Sequence, residues 1–191
     1  MEAIVLAGGF GTRLRSVVAD VPKPMAPVGG RPFLEILLGS LARKGFARVI
    51  VSLGYMAESV SSHFGARFAG MELNYVVEDS PLGTGGGIRL AMDRLQSDHA
   101  FVFNGDTFLD VEAAAVEAAW QARRRPLIVG CEVADAARYG RLIVEGERAV
   151  GFAEKGVTGP AVINAGCYVL ARGQLDAFMP GEPFSLERDY L

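Results

Sequence analysis

Residues 3–6 of this 191-residue chain read Ala-Ile-Val-Leu and run straight into Ala7-Gly8-Gly9-Phe10-Gly11-Thr12-Arg13-Leu14. An apolar run of that length closed by glycines is the pattern of a buried strand that stops at a loop. Similar runs recur at Val49–Leu53, Leu73–Val77, Ala100–Phe103 and Leu127–Val133. Helical candidates separate them. One starts near Phe33, where Leu34, Leu37, Leu38 and Leu41 repeat at helical spacing and Gly45 stands ready to end it. Others span Met56–Phe64, Gly86–Leu95 and Val111–Ala122. Strands alternating with helices restrict the chain to the α/β class, a Rossmann-like, mainly parallel or mixed sheet sandwiched by helices.

After Val133 the pattern changes. Arg141–Val144, the turn-like Glu145-Gly146-Glu147 and Ala149–Phe152 predict a small antiparallel hairpin region. A further strand over Ala165–Ala171, a short helix over Leu175–Phe178 and a helix beginning at Ser185 are expected before the sequence ends at Leu191. A chain of this length buries a substantial core, so residues 1–191 are expected to form a single domain. The formal net charge of −3 argues against non-specific nucleic-acid binding. The basic run Arg123-Arg124-Arg125 follows a helical stretch and reads as a favourable charge at its C-terminal dipole. No apolar stretch is long enough to cross a membrane and the N-terminus has no signal-peptide pattern, so a cytoplasmic protein is expected. Cys131 and Cys167 lie in apolar runs without a CxxC partner and are expected to be buried, reduced thiols.

The first loop carries the chemistry. Missing side chains at Gly8, Gly9 and Gly11 let backbone N–H groups approach a phosphate. Arg13 adds a charged planar fork and Lys23, between Pro22 and Pro24, a compact point charge. A P-loop would require Gly-Lys-Ser/Thr at its end and a dinucleotide fingerprint a third glycine where Leu14 stands, so neither fits. Open α/β sheets bind ligands beyond the carboxyl ends of their strands. Asp106, in Asn104-Gly105-Asp106 after the fourth run, is placed either to hold Mg²⁺ with substrate phosphates or to close an Asx-turn. Glu78-Asp79-Ser80-Pro81-Leu82-Gly83-Thr84-Gly85-Gly86-Gly87 follows the third run and puts bare backbone at a helix start. His63 and His99 read as solvated or capping residues, and Trp120 as packing.

Leu6-Ala7-Gly8-Gly9 to Thr12-Arg13, then Pro22-Lys23-Pro24-Met25, resembles in order and spacing the signature of the sugar-nucleotide pyrophosphorylases, nucleotidyltransferases that act on sugar 1-phosphates. The resemblance implies that Leu6, Ala7, Gly8, Gly9, Gly11, Thr12 and Arg13 bind the nucleotide together with Glu78, Gly83, Thr84 and Gly85. It also implies that Asp106 coordinates Mg²⁺, and that Arg13, Lys23 and Asp106 are the catalytic residues. Gly140, Glu154, Lys155, Asn164 and Glu187 would bind the sugar phosphate. Residues 1–110 would form mainly the nucleotide half and 111–191 mainly the sugar-phosphate half. Guanine presents two adjacent donors that match the two oxygens of a carboxylate, so Glu78 points to GTP. Within the family, Pro22–Val28 and Leu82–Gly87 most resemble the D-glycero-α-D-manno-heptose 1-phosphate guanylyltransferases, which make GDP-heptose for bacterial surface polysaccharide. Mannose 1-phosphate guanylyltransferases, cytidylyl- or uridylyltransferases and a catalytically silent nucleotide- or sugar-binding regulatory module stay as alternatives. The family carries a second metal-binding aspartate after the region matching Phe184-Ser185-Leu186-Glu187, and the expectation is that this C-terminal segment is missing here. The sequence leaves the oligomeric state open, a homo-oligomer included.

Overall fold

The computed structural model describes residues 1–9, 21–153, 156 and 158–191. The first apolar run is β1 (Glu2–Leu6), whose Ala3, Ile4 and Val5 have no solvent exposure on either face. A strand buried on both faces needs the unbroken apolar run seen in the sequence. β2 (Pro27–Val28) and β3 (Arg31–Pro32) form a separate two-stranded antiparallel ribbon, followed by α1 (Phe33–Arg43). Lys44 and then Gly45, at φ +84°, end α1 as its leucine spacing predicts. Next come β4 (Arg48–Leu53), α2 (Ala57–Phe64), β5 (Arg67–Phe68), β6 (Met71–Val77), α3 (Gly83–Met92), β7 (His99–Asn104) and α4 (Ala113–Arg123). β8 (Leu127–Val133), β9 (Arg141–Glu145), β10 (Arg148–Ala153) and β11 (Ala161–Ala171) complete a nine-stranded mixed sheet.

The sheet runs β10-β9-β11-β7-β1-β4-β6-β5, with β8 along β11. β7, β1, β4 and β6 are parallel, and β11, β8, β9, β10 and β5 pair antiparallel. From β1 the chain moves outward through β4 to β6, then returns to place β7 on the other side of β1. The direction of winding therefore reverses between β1 and β7, the position where an open α/β sheet leaves a crevice at its carboxyl ends. One core layer packs α1, α2 and α4 against Ala3, Val5, Phe101 and Phe103, and the other packs α3 against Ile4, Ile50, Val102 and Tyr168.

Several expectations are corrected. The predicted hairpin forms, and through β11 it extends the main sheet. Residues 175–178 are a run of hydrogen-bonded turns, not a helix. α3 starts at Gly83, three residues before its predicted start, because the Gly85 and Gly86 N–H groups find an acceptor in the Phe184 carbonyl at 3.0 and 3.4 Å. Cys131 is exposed, contrary to the expectation, whereas Cys167 is fully buried and its thiol is pushed up to about 12 by burial. His99 does more than cap a loop: it opens β7, stacks on Trp120 at 3.8 Å and bonds Asp98 and Glu117. Of the basic run, Arg123 pairs with Glu147 and Arg124 with Asp98.

Candidate active site

A cleft of about 340 Å³ opens at the carboxyl ends of β1 and β7. Leu6 and Asn104 are register partners at those ends, and the Gly105 N–H donates to the Leu6 carbonyl at 2.8 Å. Of the residues singled out in the sequence, Leu6, Ala7, Gly8 and Gly9 form one wall. Lys23, Glu78, Gly83, Thr84 and Asp106 line the cleft as well. Among the described residues Pro24, Pro81, Asn104 and Gly105 also line it. Gly11, Thr12, Arg13, Glu154 and Lys155 lie outside the described residues.

Glu78, one residue beyond β6, is set in place from two sides. Ser52 at the end of β4 donates its hydroxyl to Glu78 Oε1 at 3.0 Å, and the Leu82 N–H donates to Oε2 at 3.1 Å. The space is tight enough that a Cβ on Gly8 would stand 2.7 Å from Oε1. A side chain at position 8 would therefore displace the Glu78 carboxylate. Each carboxylate oxygen has two acceptor positions and uses one on these contacts.

Lys23 forms an ion pair with Asp106 at the cleft, both side chains being partly exposed. The other Asp106 oxygen accepts the Thr107 hydroxyl at 3.3 Å. Among the described residues no three His, Cys, Asp or Glu side chains gather to cage a metal. A single carboxylate of this kind, with substrate phosphates and water, is the ligand set typical of Mg²⁺. The half-exposed Asp106 carboxylate on the cleft fits that role.

The remaining predicted residues are arranged differently. Gly85 does not line the cleft: its Cβ position would lie 2.1 Å from the Phe184 ring, so its bare backbone seats that ring. Thr84 lines the cleft, but its hydroxyl donates to Glu187 Oε2 at 2.8 Å and accepts the Leu186 N–H at 2.9 Å. Asn164 and Glu187 meet through Tyr168, whose hydroxyl accepts from Asn164 Nδ2 at 2.7 Å and donates to Glu187 Oε1 at 2.8 Å. Burial pulls the Glu187 carboxyl upward, yet hydrogen bonds from Tyr168, Thr84, its own backbone and Ser185 outweigh it and leave the pKa below the ordinary glutamate range. Gly140 stands just before β9, 3.7 Å from the Ala153 carbonyl at the point where a Cβ would be. Sequence reasoning missed Ser52 and Tyr168, because their bonds to Glu78 and Glu187 span 26 and 19 residues.

A nucleotidyl transferase family model matches residues 2–183. The chain belongs to the nucleotidyl transferase family. A D-glycero-α-D-manno-heptose 1-phosphate guanylyltransferase from Aneurinibacillus thermoaerophilus is 37% identical, over 100% of this chain and 84% of that protein. A mannose-1-phosphate guanylyltransferase from Mycobacterium tuberculosis is 38% identical over 99% of this chain and 54% of that protein. The crystal structure of HddC from Yersinia pseudotuberculosis complexed with GMP-PN aligns with a TM-score of 0.90 at 34% identity, over 100% of this chain and 84% of that one. This nucleotidyl transferase thus shares its mixed sheet and flanking helices with solved members of the family. No helix among its described residues is long and apolar enough to cross a membrane.

Proposed function

We propose that this nucleotidyl transferase moves a guanylyl group from GTP to D-glycero-α-D-manno-heptose 1-phosphate, giving GDP-heptose and pyrophosphate. The observation that carries the reading is the Glu78 carboxylate, held by Ser52 and the Leu82 N–H on the wall of a cleft that also contains Lys23 and Asp106. An oriented carboxylate suits the adjacent N1–H and N2 amino donors of guanine. The 37% identity to a heptose 1-phosphate guanylyltransferase supports both base and acceptor. The product would serve bacterial surface polysaccharide synthesis, and the reaction would take place in the cytoplasm.

In the proposed reaction a phosphate oxygen of the sugar 1-phosphate attacks the α-phosphorus of GTP. The new P–O bond forms as the bond to the bridging α–β oxygen breaks and pyrophosphate leaves. The nucleophile is already ionised at neutral pH, so alignment of two anions and neutralisation of the leaving group dominate. The Gly8–Gly11 backbone and Arg13 would hold the triphosphate. Lys23, released from Asp106 when phosphates arrive, would meet the sugar phosphate and the charge developing in the transition state, aided by Lys155. Mg²⁺ bound at Asp106 would supply charge neutralisation on the phosphates. Glu154, Asn164, Glu187 and the Gly140 backbone would face the sugar hydroxyls, so that residues 1–110 serve mainly the nucleotide and 111–191 mainly the acceptor.

The 38% identity to a mannose-1-phosphate guanylyltransferase favours mannose 1-phosphate as the second reading. Pyrophosphate release with Mg²⁺ tests both, crossing GTP, CTP, UTP, ATP and dTTP with the two sugar phosphates. Turnover confined to GTP and the heptose phosphate is expected. Preference for mannose 1-phosphate replaces the acceptor, preference for another nucleotide overturns the Glu78 assignment, and no release with any pair leaves a binding module. In the active pair, Lys23→Ala and Asp106→Ala should each lower kcat by about 10²–10³-fold.

A further inference from the structure

We propose that Tyr168 is a positioning residue for the acceptor side of the cleft: its buried hydroxyl fixes Asn164 and Glu187 in one geometry and, through Glu187, joins them to Thr84 on the nucleotide wall. The inference rests on the acceptor reading given above. The Tyr168 ring has no solvent exposure and packs in the core layer under α3. Packing alone would be served by phenylalanine. A hydroxyl in that setting is costly unless both its donor and its acceptor capacity are used. Both are used, since it accepts from Asn164 Nδ2 at 2.7 Å and donates to Glu187 Oε1 at 2.8 Å.

The local backbone is shaped around this contact. The pairing of β11 with β8 is irregular between Asn164 and Tyr168, and Asn164 Oδ1 accepts the Gly166 N–H at 2.9 Å inside that irregularity. The amide is thereby turned so that its N–H points back to the phenol four residues on. Glu187 is held equally firmly. Its second oxygen accepts the Thr84 and Ser185 hydroxyls at 2.8 and 2.9 Å. Together with the Tyr168 hydroxyl and its own backbone N–H, these donors hold the carboxylate from every side. Asn164 keeps one amide hydrogen for a ligand. Loss of the phenol oxygen would remove the contact that joins Asn164 to Glu187 and the bond that fixes Glu187 Oε1, whereas Thr84 would keep the Leu186 N–H and its own bond to Glu187 Oε2. The consequence is asymmetric: acceptor binding suffers and nucleotide binding does not.

The test is the steady-state kinetics of Tyr168→Phe with both substrates, alongside GTP affinity by calorimetry. The KM for the sugar 1-phosphate should rise about tenfold, the size set by one hydrogen bond to a charged group, with GTP affinity within about twofold of the parent. Leu170→Val removes volume from the same strand and layer outside this hydrogen-bond chain, and should lower thermal stability without changing either KM. Should Tyr168→Phe fail to fold, Tyr168→Met is read by the same criterion. An unchanged acceptor KM in the Tyr168 variant, or a rise no greater than in Leu170→Val or matched by weaker GTP binding, overturns the inference. Glu187→Gln separates the two levels. If it raises the acceptor KM while Tyr168→Phe does not, only the role of Tyr168 falls; if it leaves the acceptor KM unchanged, the acceptor reading and the role of Tyr168 fall together.

Discussion

Glu78 shows how one residue's chemistry is set by neighbours distant in sequence. Its carboxylate would be a solvated strand-end charge but for Ser52, which is fully buried, and the Leu82 N–H. A hydrogen bond to a charged group contributes about 1.5–3 kcal/mol, so Ser52→Ala should raise the KM for GTP by about tenfold or more. It should also narrow the preference for GTP over ITP, which lacks the N2 amino group, as measured by kcat/KM for the two nucleotides. An unchanged preference would show that Ser52 does not orient the carboxylate. Glu78 was legible in the sequence as a carboxylate after a strand beside a glycine-rich segment. Ser52 was not, because a serine in an apolar strand announces nothing until β4 and β6 pair in parallel and bring Ser52 and Val76 side by side.

The start of α3 is where an element departs most from its sequence pattern. Gly83-Thr84-Gly85-Gly86 was read as bare backbone for a ligand, and Gly83 and Thr84 do line the cleft. Gly85 instead accommodates Phe184, which stacks on Phe178 at 3.8 Å, while the Phe184 carbonyl caps two N–H groups of the helix start. Adding a methyl at Gly85 would place it 2.1 Å from the Phe184 ring. Gly85→Ala should cost about 1–3 kcal/mol through overpacking and lower the melting temperature by several degrees, measurable by calorimetry. A melting temperature equal to the parent's would mean that the Phe184 contact contributes no packing there. The leucine repeat of α1 and the glycine after it were legible, since periodicity and a C-terminal stop are local. The earlier start of α3 was not, because its acceptor comes from residue 184.

On the scale of the whole molecule, the end of the sheet opposite the cleft is closed by an ion pair that also has a measurable signature. Glu2 is almost fully buried; it pairs with Arg48 and accepts the Ser97 N–H at 2.8 Å and the Gln96 N–H at 3.1 Å. Burial raises its pKa, and the hydrogen bonds from Ser97, Arg48 and Gln96 more than offset this, so the folded value lies below the unfolded one. Glu2 therefore stabilises the fold above its unfolded pKa, and that contribution is lost as pH falls through the lower, folded value. Urea denaturation from pH 7 down to pH 3 should show Glu2→Gln destabilised by about 1–3 kcal/mol at pH 7 and the gap to the parent closing in acid. A gap that stays constant with pH would remove the linkage. By itself the sequence determined the α/β class, the strands that form the parallel centre, the glycine loop at the end of the first of them and the charged residues at the strand ends, because periodicity, chain stiffness and charge are local properties. Only the tertiary structure decided that β7 returns to the side of β1, that β11 carries the hairpin into the main sheet, and that Tyr168 links Asn164 to Glu187. Those outcomes depend on which surfaces can be buried together and which buried polar groups can be paired, and both are set by contacts between segments far apart in the chain.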